Sequence, residues 1–519
     1  MIKRLKQSSV LTIPIFLVVI LFLALIVHQV NVRKDLAEDG WSRTAELLPN
    51  VSQHQPFAVE ENSTYTVYIP NSDAQITHLT LDESLKVKSS EDFPVSIGPK
   101  TPFWASGNTV YYFEDKTIYE YDGSESSVFQ EQVDGMEISG NRILYWKGKT
   151  IFEIDTKLGK SSKIGAASDK ITNLFLSNST SSFLAVFEEE ITTKVMLYKE
   201  SETESYKGQL LFEASEAGTE RIIDVDFTQR DQLIDVIFTT YSTAQQQLTW
   251  RAYHNQFDLS DLETKQRFNE LLIREQGSGT RIRKPNEIDL SLVDNKPAIL
   301  FTAKGTLTPR VQTDNIYQAV LEDSKWIATR ISTTKEISTK PSWVGEATVM
   351  WLDYTGKDPN LMAASEKPAA IKRLGGVTSE DWKQGFYSSL SSLGFGLIIL
   401  IYAALWATPP YLILFIVTFF SEETMEERKA WVRYGIAGFC GIVQVALIQK
   451  FFTPLFAIVS PDYLSFSGAS YVIPVVLLLL SWIITQFVKG EEWGVIQEFS
   501  YFIAINLLMI IMLIAPYVA

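Results

Sequence analysis

Two segments decide how this chain is read: 107–122, GNTVYYFEDKTIYEYD, and 140–155, GNRILYWKGKTIFEID, thirty-three residues later. Gly107 answers Gly140, Asn108 answers Asn141, Thr117-Ile118 answers Thr150-Ile151, and Asp122 answers Asp155. Each segment is an apolar run, a short turn (Glu114-Asp115-Lys116, Lys147-Gly148-Lys149) and a second run in period-2 alternation. That is a β-hairpin written twice, and self-similarity at a period of 20–50 residues marks a repeat architecture. A hairpin alone is marginal in water, so the units must bury their faces on one another.

Working outward, candidate hairpins begin near Tyr65, Val110, Ile143, Phe183, Leu233, Ala298 and Val349. Their mean spacing of roughly 45 residues is that of a four-stranded propeller blade. The expected fold is therefore a multi-domain membrane protein: an all-β, extracytoplasmic β-propeller of six to eight blades over 61–385, with α-helical transmembrane segments around it. A pair of β-sandwiches is the alternative, and it explains the 33-residue echo less well. One insertion, 260–276, SDLETKQRFNELLIREQ, opens with Ser260 and Glu263 at capping-box spacing and ends at Gly277-Ser278-Gly279, which predicts an amphipathic helix. Glu263–Arg267 and Glu270–Arg274 would pair along it. The basic run Arg281-Ile282-Arg283-Lys284 follows, read either as a partner or headgroup contact or as a solvated strand.

The stretch 151–164, IFEIDTKLGKSSKI, resembles the repeat of quinoprotein-type propellers and of outer-membrane assembly lipoprotein propellers, in which a strand ends in Asp and Thr-Gly-Lys turns the chain. Asp155, Thr156, Gly159 and Lys160 match, and Asp353, Thr355, Gly356 and Lys357 make a second, partial match. The resemblance covers two blades and implies a propeller. Ile164 stands near the place of the family's docking tryptophan, so the resemblance implies no quinone cofactor.

The remaining domains follow from hydropathy and charge. Lys3, Arg4 and Lys6 in residues 1–9 precede an apolar run, which makes 10–30 a transmembrane signal anchor with its N-terminus in the cytoplasm. A cleaved signal peptide is the alternative, but no small-x-small site follows the run. Residues 31–60 read as a polar linker. Residues 386–519 read as a four-span bundle, with spans near 390–420, 432–452, 468–488 and 495–517. Basic residues Arg428, Lys429, Arg433 and Lys489 then fall on the cytoplasmic side and Lys450 near the outer side, which leaves the propeller and the C-terminus extracytoplasmic. The stretch 390–420 holds Pro409-Pro410 and is long for one straight span, so it crosses once, tilted or kinked, or twice.

The net charge of −15 over 519 residues falls almost wholly on residues 10–387. Nucleic-acid binding needs phosphate-neutralising basic surface and is excluded as an expectation. One cysteine, Cys440, allows no disulfide within the chain, which suits a bacterial surface protein. No phosphate loop, His-Glu-x-x-His, Cys pair, Gly-x-Ser-x-Gly or EF-hand loop is present. His28, His54, His78 and His254 lack metal-ligand spacing, while Glu91-Asp92, Glu188-Glu189-Glu190 and Asp122-Gly123-Ser124-Glu125 read as turn charges. In the bundle, Gln444, Gln449, Thr485, Gln486 and Asn506 are the polar residues that a transport path would need, and Gly435, Gly438 and Gly441 suit close helix packing. The expectation is thus a non-enzymatic binding or scaffold protein, with no catalytic, cofactor-binding or metal-ligating residue. Its partners would be the lipid bilayer and a protein or envelope component reached through propeller loops. A propeller receptor coupled to the bundle for transport or signalling is the alternative. The lining of the central channel would discriminate: acids with histidine favour chemistry, and an apolar patch favours a partner.

Overall fold

The structure, a computed structural model, describes residues 2–98, 100–189, 192–200, 206–215, 220–242, 249–261, 268–308, 311–420, 430–490 and 493–518. The chain divides into two compact units, Leu36–Gly376 and a second made of Met1–Asp35 with Val377–Ala519.

Leu36–Gly376 is a seven-bladed β-propeller. Blades one to five take four consecutive strands each, over 57–96, 103–131, 135–166, 173–215 and 220–270. Blade six runs over 286–330, and blade seven has three strands over 337–365. All seven hairpins expected from the sequence are the central hairpins of blades. The two segments that echo each other are those of adjacent blades two and three, paired Val110↔Tyr121 and Ile143↔Ile154. Their turns differ in how they reach the left-handed backbone of a two-residue hairpin: Asp115 (φ 47°) and Lys116 (φ 61°) in one, Gly148 (φ 58°) in the other.

A shared device underlies the repeat. Directly opposite each other on the central hairpin stand Tyr68 and His78, Tyr112 and Tyr119, Tyr145 and Phe152, Phe183 and Tyr198, Phe238 and Tyr253, and Phe301 and Tyr317. Each pair is stacked, with centroids 4.7–5.6 Å apart. Such pairs contribute about 0.5–1.5 kcal/mol each beyond their burial. Blade seven replaces the pair with Trp351 opposite Met362. The Asp155 turn works as its motif implies: the carboxylate accepts from Lys157 and Leu158 N–H, and Gly159 (φ 61°) completes it. Asp353 has another role, buried and accepting from Thr334, Ser338 and the Trp351 indole.

Three boundaries differ from expectation. Residues 31–60 are not a linker, because Ala45–Leu48 forms the outermost strand of blade seven and Phe57–Glu61 the innermost strand of blade one. The three C-terminal strands of blade seven would leave Asn360–Ser365 an unpaired outer edge, and the N-terminal strand covers it before the same stretch of chain begins blade one. The propeller ends at Gly376 rather than 385, after a short helix, Pro368–Leu374. The helix expected over 260–276 is absent from its described part: Asn269–Glu270 and Ile273–Glu275 are strands, while 262–267 lies outside the described residues. Leu271 and Ile273 are buried two residues apart, a strand spacing, and Ile273–Glu275 runs parallel to the blade-six strand Lys325–Arg330. Glu270 accordingly pairs with Arg281 instead of Arg274.

The second unit is helical: α1 (Ile2–Lys34), α2 (Ser379–Leu393), α3 (Gly396–Phe420), α4 (Ala430–Ile448), α5 (Ala469–Val488) and α6 (Val495–Leu513). It begins before 386 because Thr378 and Asp381 form a reciprocal capping box that starts α2. The doubtful stretch 390–420 breaks at Gly394–Phe395, and α3 continues as one 25-residue helix through Pro409 and Pro410. Five helical segments are long and apolar enough to cross a membrane by length and composition: Val10–Lys34, Ser379–Phe420, Tyr434–Phe451, Ala469–Val488 and Val495–Tyr517. Contacts fix their directions. Tyr501 Oη donates to Val10 O (3.2 Å) and His28 meets Tyr517 (5.5 Å), so α6 runs parallel to α1. Tyr411 Oη bonds Ser500 (2.8 Å), while Gly396 lies against Ile511, so α3 is antiparallel to α6.

Candidate functional site

The first strands of the seven blades converge on the propeller axis and enclose a cavity of about 600 Å³. In three of them an acid stands between apolar residues: Met136-Glu137-Ile138, Val225-Asp226-Phe227 and Ile288-Asp289-Leu290. Side chains alternate along a strand, so burying Met136, Val225, Phe227, Ile288 and Leu290 turns Glu137, Asp226 and Asp289 to the axis. Asp224, two residues before Asp226, shares its face and lines the same cavity.

These carboxylates are open to the lumen yet surrounded mainly by protein rather than bulk water. Poor solvation is the first cause of every shift that follows. Glu137 is pushed up to about 8, with the Asp224 charge adding to the effect. Asp224 rises to about 6, restrained by the Val225 N–H. Asp289 also rises to about 6; the Trp343 N–H opposes the shift and Asp224 adds to it. Asp226 rises well above the usual carboxylate range through burial and the Asp289 and Asp224 charges, against N–H groups donated by Leu290 and Phe227. The four groups therefore form one electrostatic cluster on blades three, five and six.

Cations occupy the other half of the ring. Lys100, in the connection between blades one and two, and Lys340, on the inner strand of blade seven, line the cavity with His54. Burial lowers the Lys340 ammonium, Glu287 raises it and Lys100 lowers it. Burial likewise lowers His54, whose Nε2 lies 2.5 Å from Gly98 O and which also feels the Lys340 charge. The ring nitrogen of His54 is thus engaged by backbone beside the lysines, and no acid is among the groups acting on it, so the channel does not set a histidine against its carboxylates. Phe57, Phe103, Phe175 and Trp343 supply apolar walls. The arrangement suits a ligand with a cation toward the carboxylates and an anion or acceptor toward the lysines. Among the described residues no His, Cys, Asp and Glu group has metal-binding geometry.

The other residues singled out by sequence scatter. His78 stacks on Tyr68. His254 Nε2 lies 3.0 Å from Asp235, a fully buried carboxylate that also accepts from Arg230 (2.9 Å) and Gln256 (3.1 Å). This network knits blade five and brings no nucleophile with it. Asp122 is a turn residue accepting from Ser124 and Glu125, Asp92 accepts from Thr77, and Glu189 pairs with Lys194. In the bundle, Gln486 and Lys489 both donate to buried Glu498 at 2.7 Å. Ser481 and Thr485 bond back to their own helix. Gln444 on α4 and Asn506 on α6 are fully enclosed, with neither amide oxygen nor nitrogen partnered.

The axial carboxylates escaped the sequence reading. Their signal is the apolar-acid-apolar triplet in the strand that precedes a candidate hairpin, repeated in three blades.

No family model and no curated protein matches the chain. Among solved structures it is similar to the N-terminal domain of Nup159 (TM-score 0.37, 11% identity, covering 63% of this chain and 96% of that one). It is also similar to Kuenenia stuttgartiensis hydrazine synthase (0.33, 11%, 60% and 95%) and to Trypanosoma rangeli sialidase in complex with sialic acid (0.32, 10%, 65% and 60%). The propeller rests on the chain's own strand order.

Proposed function

We propose that this chain is an integral membrane protein whose propeller is a non-enzymatic binding module for a protein or envelope partner. The propeller channel receives a cationic group of that partner, an amine or a guanidinium. The carrying observation is the cluster of Glu137, Asp224, Asp226 and Asp289 on one half of the axial cavity. A cation there would stabilise the ionised carboxylates that poor solvation, and after it the neighbouring acids, disfavour, so binding would draw on a cost the empty channel carries. Five apolar helical segments support the membrane reading. Lys3, Arg4, Lys6 and Lys489 on the cytoplasmic side accord with it, with the propeller extracytoplasmic.

The test is capture from detergent-solubilised membranes by the wild-type chain and by a variant carrying E137Q, D224N, D226N and D289N. A stoichiometric partner lost with the variant supports the proposal. Equal capture by both chains, or no stoichiometric partner from wild type, overturns it.

A second reading, a receptor coupled to a transporting or signalling bundle, is favoured by one observation. Gln444 and Asn506 are enclosed and unpartnered in a helical core where unmet amides are costly. If Q444L and N506L leave intact a phenotype that deletion of the gene abolishes, this reading fails.

A further inference from the structure

Between blades five and six the chain does not pass directly from one outer strand to the next inner strand. It first lays Ile273–Glu275 and Arg281–Ile282 along the outer edge of blade six, making that sheet six-stranded. Neither strand is needed to close the ring. The second of them, with residues 283–285 after it, walls a cavity of about 250 Å³ against Glu270-Leu271 and against residues 250–252 on the third strand of blade five. Leu271 N–H, donating to Ala252 O (2.8 Å), extends the blade-five ladder to the cavity, and buried Leu271, Ile282 and Ala252 supply an apolar side.

The polar side is basic. Arg251, Arg281, Arg283 and Lys284 line the cavity with the half-exposed indole of Trp250, against a single acid, Glu270. Glu270 is engaged by Arg281 at 2.9 Å. Arg283 and Lys284 have no acidic partner among the described residues. Arg274 stands directly opposite Arg281 across the two added strands, a like-charge pair that weakens so short a ladder. Lys284 is held at φ 55°, a left-handed backbone that a lysine adopts at some cost. A chain of net charge −15 thus concentrates cations, at local expense, around one concavity.

We infer that this cavity binds a phosphate-bearing group. Arg guanidinium forks match phosphate oxygens, a lysine supplies a point charge, and an indole gives an apolar ledge for the carbon skeleton carrying the phosphate. The same chemistry comes from free phosphate esters or from an anionic lipid headgroup. This site is distinct from the axial channel in both place and charge.

The full chain, purified in detergent micelles, is dialysed against labelled inorganic phosphate. In a separate arm it is mixed with micelles doped with phosphatidylglycerol, and bound lipid is counted after gel filtration. Binding in the first arm alone identifies soluble phosphate; binding in the second alone identifies a headgroup. R283A/K284A should weaken whichever is seen by about tenfold or more. K163A, on the outer strand of blade three, should leave it unchanged. Raising salt should weaken binding by wild type and K163A alike. If R283A/K284A fails to fold, R283Q/K284Q serves in its place. No binding in either arm, or binding that the folded double variant retains in full, overturns the inference.

Discussion

Replacing Glu137 by glutamine tests the electrostatics of the axial channel while keeping the side chain's shape. A glutamate raised from 4.5 to about 8 has its charged form disfavoured by at most roughly 5 kcal/mol, at about 1.36 kcal/mol per tenfold change. The carboxyl is partly open to the lumen, so channel water screens the charge and ~1–3 kcal/mol is the expected effect. Because the folded value is the higher one, the folded chain binds this proton more tightly than the unfolded chain does. Its stabilisation is complete below about pH 4.5 and is lost as pH rises through about 8. Melting the full chain in micelles at pH 5, 7 and 9 should therefore show a wild-type propeller transition that falls with pH. The transition of E137Q should fall less, by several degrees at roughly 1–2 °C per kcal/mol for a unit of this size. Arginine, as a model cation, should raise the wild-type transition more at pH 9 than at pH 5. Parallel pH slopes in the two proteins would refute the reasoning.

Three further outcomes are expected. Leu47→Ala, at a buried position of the closing strand, should cost ~2–4 kcal/mol in urea unfolding and expose the edge of blade seven to protease; a cost below ~0.5 kcal/mol would mean that this strand does not hold the ring. Gly135→Ala would drive a Cβ into the Trp146 ring and should destabilise by ~1–3 kcal/mol, whereas Gly356→Ala, with nothing within 4 Å, should stay within ~0.5 kcal/mol of wild type; equal melts for the two would contradict the packing. Asp353→Ala strands donors from Thr334, Ser338 and the Trp351 indole and should cost ~2–4 kcal/mol in the same unfolding assay, a neutral result counting against the buried network.

The hairpins were legible because their information is local: two alternating runs and a turn. The 33-residue echo proved to be more than alternation. Tyr112 with Tyr119 and Tyr145 with Phe152 occupy matching places in it, and these are the stacked ring pairs that recur in six blades. The closing strand was not legible, since Ala-Glu-Leu-Leu is four residues long and its partner, Asn360–Ser365, lies more than 300 residues away. The added strand Ile273–Glu275 follows a helix-like charge pattern, and only the free edge of blade six makes it a strand. The axial acids were hidden for a related reason. An acid between two apolar residues also describes an ordinary half-exposed strand, and the ring alone turns that exposed face into a confined one. In the bundle, hydropathy located the helices, but the isolation of Gln444 and Asn506 depends on which faces meet.

The closing strand has a mechanical consequence. The chain comes into the ring at Ala45 and leaves it past Ser365, and the antiparallel register, Ala45↔Ala363 to Leu48↔Leu361, sets both points at the same end of one ladder. Tension applied between the two chain ends of the propeller would thus unzip this ladder pair by pair rather than shear it as a block. The first bonds to bear the load would be Ser42 N–H to Ser365 O (2.9 Å) and Ser365 N–H to Ser42 Oγ (3.0 Å), beside Arg43 to Gly376 O (3.3 Å). The ring is a clasp whose latch lies where its two tethers meet it, and a modest pull there would open blade seven before disturbing the other six.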